Sequence, residues 1–76
     1  MAIDYIDLTH EIVFLAKREG YIEFAIELSD AIDSASTSTE LLMAVRFNLL
    51  KIPASISDAT KNKAATLVGE IDKILK

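Results

Sequence analysis

The sequence predicts an all-α fold: a small compact bundle of about four short helices, the first two joined by a tight turn at Gly20. Apolar residues recur at helical spacing through four segments, and no run alternates apolar and polar as a half-buried strand would. The segments are separated by residues that end or start helices: Gly20, the Ser/Thr stretch at 34–39, and Pro53. At 76 residues the chain has room for one helical domain (1–76), near the small end of what folds without cross-links.

The first helix is expected from about Ile3 to Glu19, ending at Gly20 as the residue past its C-cap. Tyr5, Leu8, Ile12, Leu15 and Ala16 fall on one face, and Ile6 and Val13, with Ile3 and Phe14 beside them, make a second. The second helix, about Tyr21 to Ser34, buries a stripe of Phe24, Leu28, Ala31, Ile32 and Ala35 with Tyr21 and Ala25. A small polar linker, Ser34 to Thr39, follows. Its last three residues with Glu40, Thr37-Ser38-Thr39-Glu40, fit a capping box, a hydroxyl at the N-cap and a carboxylate three residues on.

That box launches a third helix, about Ser38 to Lys51, which Pro53 ends by disfavouring a helical Ile52. The fourth, capped by Ser55 or Ser57, runs to the C-terminus. It sets Ile56, Ala64, Leu67, Val68, Ile71, Ile74 and Leu75 against a polar side of Asp58, Lys61, Asn62, Asp72 and Lys76.

The third helix is the unusual one. From Leu41 to Ile52 nine residues in twelve are apolar. Leu41, Leu42, Val45, Leu49 and Ile52 share one face, while Met43, Phe47 and Leu50, at i, i+4, i+7, form an opposite ridge bordered by Arg46. A helix apolar all round is usually a buried one, which makes core on both faces the first expectation. The alternative is a contact surface, because Met, aromatics and Arg are enriched at interface cores.

Composition supports the second reading. Apolar residues make up 51% before Gly is counted, and the mean hydropathy is +0.32, where soluble domains reach about 45–50% with Gly included. A partner or self-association would cover the surplus. A membrane is not expected to, because no uninterrupted apolar run exceeds Leu41 to Val45, far short of the roughly 20 residues of a spanning helix. The first bases are Lys17 and Arg18, after Asp4 and Asp7, unlike the basic start of a secretory leader, and the cytoplasm is the expected setting.

The net charge is −4, which argues against nucleic acid as a partner. Residues 1–35 carry eight acids against two bases, and residues 36–76 carry four against six. The acidity concentrates in the second helix, where Glu23, Glu27 and Asp30 fall on one face with no lysine in their own helix. Such a stripe is a solvated face, a docking stripe for a basic partner, or an intramolecular partner of Lys61 or Lys63.

Candidate chemistry is sparse. No Cys is present, which excludes disulfides and thiolate sites. His10, the one histidine, has Asp7 and Glu11 nearby but no second imidazole to complete a transition-metal site. Asp4, Asp7 and Glu11 are a solvated face before they are a magnesium site. Gly20 and Gly69 stand alone, outside any phosphate-binding pattern. No cofactor, metal or catalytic residue is expected.

In size, acidity, lack of Cys and four short helices, the chain is similar to helical inhibitors such as bacterial toxin immunity proteins. The likeness is one of architecture, and fold does not fix function. The expectation is a small non-catalytic protein that binds another protein, such as an acidic neutralising inhibitor of a basic toxin or nuclease. Its partner-binding residues would be Glu23, Glu27, Asp30, Met43, Arg46, Phe47 and Leu50. The alternative is a self-assembling homo-oligomer, a homodimer in the simplest case, with the ridge buried against its own copy.

Overall fold

The computed structural model describes residues 4–75, and among these the chain forms four helices and no strand. The helices are α1 (Tyr5–Arg18), α2 (Ile22–Ser34), α3 (Ser38–Leu49) and α4 (Asp58–Leu75). α1 packs on α2 and α4, and α3 packs on the same two, so the helices form a ring of four seams. Three-residue connections after α1 and after α2 leave no length for a crossover, so α1, α2 and α3 alternate in direction. Glu19 of α1's C-cap meets Ser57, while Glu11, two turns earlier, meets Lys63, so α4 runs antiparallel to α1. The result is an up-down-up-down bundle.

Each helix boundary has a local cause. The Asp4 carboxylate accepts from the Asp7 amide at 3.0 Å and caps α1. At the other end the Tyr21 amide donates to the Ala16 carbonyl and the Gly20 amide to that of Lys17, the paired bonds of a Schellman motif. That motif needs a left-handed residue, and Gly20 supplies it at φ 93°.

Thr37 caps α3 by accepting from the Glu40 amide at 3.1 Å, but Glu40 bonds back to Ser36 rather than to Thr37. The expected capping box is therefore shifted by one residue on its return bond. The linker is also shorter than the Ser/Thr composition implies: Ser34 closes α2, with its hydroxyl on the Asp30 carbonyl, and Ser38 opens α3. Ser57, not Ser55, caps α4, accepting from the Thr60 amide at 3.3 Å.

The core draws on every helix: Ile12, Val13 and Ala16; Phe24, Ala25 and Leu28; Leu42, Val45 and Leu49; Ala64, Leu67 and Ile71. Burying a Leu, Ile or Phe contributes about 1.5–3 kcal/mol. Ile56 also joins the core, but from the connection before α4 rather than from the helix itself. Ile74, placed on the buried side by periodicity, is half exposed because it lies in the last turn of α4. The expected helix start at Ile3 and the polar Lys76 lie outside the described residues.

One polar junction ties the bundle's end together. The Glu19 carboxylate accepts from the Ser57 amide, the Ser57 hydroxyl and the Thr60 hydroxyl, each at 2.7 Å. Beside it, the hydroxyls of Tyr21 and Ser55 share a hydrogen bond of 2.6 Å. The Thr60 hydroxyl, then the Ser57 hydroxyl and amide, hold the Glu19 carboxyl below its ordinary value of 4.5. A carboxylate at the start of α4 also faces the positive end of that helix.

Candidate interaction surface

The α3 face opposite the core is apolar and open. Met43 is 57% exposed, Phe47 63% and Leu50 59%, whereas Leu42, Val45 and Leu49 on the inner face are buried. The expectation of core on both faces is corrected here. A ring of four helices surrounds one core, so α3 can bury only one stripe, and its ridge points outward.

The ridge forms one side of a groove of about 600 Å³ whose other wall is α4, with Arg46 on the α3 side and Asp72 and Leu75 on the α4 side. The Arg46 guanidinium is not available as an interface cation in the way the sequence implies. Its Nε donates to the Asp72 carboxylate at 2.5 Å, across the groove. Both groups are well exposed, so the pair contributes at most about 1 kcal/mol to stability.

On its other flank α3 meets the acidic helix. Glu23, Glu27 and Asp30 are all exposed along α2. Glu27 and Asp30, with Glu40 of α3, line a second groove of about 400 Å³ between α2 and α3. Glu23 lies apart, in the adjoining hollow by Gly20 and Tyr21 that Glu27 and Lys51 also line. Lys61 and Lys63, proposed from the sequence as partners of this stripe, are engaged elsewhere. Lys63 holds Glu11 at 2.7 Å, and the Lys61 ammonium donates to the Ala54 carbonyl.

Lys51 takes that role instead. Its ammonium sits 4.0 Å from Glu27 Oε2 and 4.6 Å from the centroid of the Phe47 ring. It therefore stands on the border between the acidic groove and the apolar ridge, touching both.

The structure brings Met43, Arg46, Phe47 and Leu50 together, places Glu27 and Asp30 on the next flank, and leaves Glu23 at the margin. Sequence reasoning missed Asp72, Leu75, Glu40 and Lys51. Glu40 sits in the first turn of the same helix as the ridge, and Lys51 is four residues past Phe47, so helical spacing alone could have found both. Asp72 and Leu75 come from α4, and no spacing along the chain predicts which helix walls the groove.

Asp7, His10 and Glu11 are exposed along α1, and Glu11 turns to Lys63. Among the described residues no three His, Asp or Glu side chains converge as metal ligands would, and no helix is long and apolar enough to cross a membrane. Compared with models of protein families, with curated proteins and with solved structures, the chain matches none.

Proposed function

We propose that this chain is a non-catalytic protein-binding module that docks a basic partner protein on the outer face of α3. The observation that carries the reading is the exposure of Met43, Phe47 and Leu50 on one ridge. Large apolar side chains massed on a protein's surface, rimmed by charge, are the mark of an interaction site, and Met and Phe are among the types enriched at the centres of such sites. The acids of α2 beside the ridge supply the second half of the reading, because like-signed charge next to an apolar patch steers encounter with the opposite sign. Neutralisation of a basic toxin or nuclease is the concrete form this takes.

The test is capture from lysate with the wild-type chain and with Phe47→Glu. The variant should keep its helical circular dichroism and melting temperature while losing the captured protein. Capture should weaken as salt rises, since charges about 10 Å apart are screened at 0.1 M. Unfolding of Phe47→Glu would place Phe47 in the core and end the proposal. A dimer in sedimentation that Phe47→Glu dissolves, with nothing captured, would replace it by self-assembly.

A further inference from the structure

We infer that the partner presents an amphipathic helix with a basic edge, and that Lys51 occupies, in the unbound chain, the place of that helix's leading cation. The inference rests on the reading above and deepens it. The two grooves run along the two flanks of one helix: apolar toward α4, acidic toward α2. A segment lying along α3 meets both at once. Met43, Phe47 and Leu50 at i, i+4, i+7 span about two helical turns, which matches the anchor spacing of a helix laid in a groove. An occupant that is apolar all round would leave the carboxylates of Glu27, Asp30 and Glu40 facing grease, and an acidic edge would be repelled. A second copy of this chain brings no free basic edge on its own α2 and α3, whose one cation, Arg46, is paired with Asp72.

Lys51 shows where the cation goes. Glu27 and the face of Phe47 both approach its ammonium, a carboxylate and an aromatic ring of the kind that line a cation cage. The contact to Glu27 is at the limit of an ion pair, and both side chains are about half exposed or more. Lys51 holds the position loosely and can swing into water. A partner's lysine or arginine, held over Phe47 by the apolar anchors beside it, would take the same place.

The experiment uses two labelled synthetic helical peptides of equal length, one of Leu and Lys and one of Leu and Glu, titrated against the whole chain and read by anisotropy. The Leu/Lys peptide should bind and the Leu/Glu peptide should not. Glu27→Gln with Asp30→Asn should weaken the Leu/Lys peptide, and Lys51→Met should tighten it about two- to five-fold, the release of one weak exposed pair. Lys73→Met, the same charge change on α4, should leave it within error. Equal tightening by Lys51→Met and Lys73→Met would overturn the placeholder role of Lys51. Equal binding of both peptides, or of neither, would overturn the basic helix. Those failures leave the docking surface itself standing if Phe47→Glu still abolishes lysate capture. Undiminished capture by Phe47→Glu would sink both proposals.

Discussion

The junction at Glu19 and the outer face of α3 are opposite solutions to the same small chain. At the junction, polar groups turn on one another: one carboxylate accepts from an amide and two hydroxyls of α4's N-cap and first turn, and Tyr21 meets Ser55. On α3, large apolar groups turn outward: Met43, Phe47 and Leu50 are each more than half exposed, and the Lys51 ammonium lies over the Phe47 ring. The difference teaches which residues hold the fold and which are left over for something else. Burial is what separates apolar residues that stabilise from apolar residues that merely share a helix with them.

The comparison breaks most sharply on truncation. Leu67→Ala removes a fully buried side chain and should lower stability by about 2–5 kcal/mol. Phe47→Ala should stay within about 0.5 kcal/mol of wild type, as exposed changes do. Chemical denaturation of the pair decides it, and comparable losses would mean that the ridge is part of the core after all.

Gly20→Ala comes next. Nothing lies within 4 Å of the added methyl, so the cost is that of holding an L-residue at φ +93°, about 1–2 kcal/mol. A melting temperature equal to wild type would show that the corner relaxes into another turn. Thr37→Ala should lose about 1 kcal/mol through the α3 cap, read by chemical denaturation.

The smallest effect is one of slope. Glu19's carboxyl is held below its ordinary value in the folded chain by Thr60 and Ser57. A depressed folded pKa adds stability that is fully present above the unfolded value of 4.5 and is lost as the pH falls through the folded pKa. Acid titration of stability should therefore fall more steeply for wild type than for Glu19→Gln. Parallel curves would mean that the junction carries no linkage.

Most of the fold was legible because its signals are local. Gly20, Thr37 and Pro53 each act within a few residues, and the periodicity of Phe24, Leu28 and Ala31 needs no knowledge of the other helices. What failed were statements about which side of a helix meets which neighbour. Thr9 and Thr60 are buried although their hydroxyls mark them as surface residues. Each is satisfied, Thr9 by the Tyr5 carbonyl one turn back and Thr60 by Glu19 from another helix. Ile6 and Phe14 share a stripe with Val13, yet only Val13 is buried. The ridge could be found by spacing, but not the sign of its exposure, since the wheel cannot tell whether a fourth helix or water lies beyond Phe47.

The arrangement of the four seams bears on how the chain reaches its fold. Three of them join helices that follow one another, while the seam of α1 with α4 joins residues 38 apart, as between Glu19 and Ser57. Closing a loop of that length costs about 3 kcal/mol of chain entropy before any contact repays it, so α1, α2 and α3 are expected to associate first and α4 to dock last. Bonds made only in that last step are then expected to be absent from the rate-limiting ensemble. Glu19→Gln should then quicken unfolding and leave refolding almost untouched, moving one arm of a chevron plot. A slowed refolding arm would mean instead that the two ends of the chain meet early.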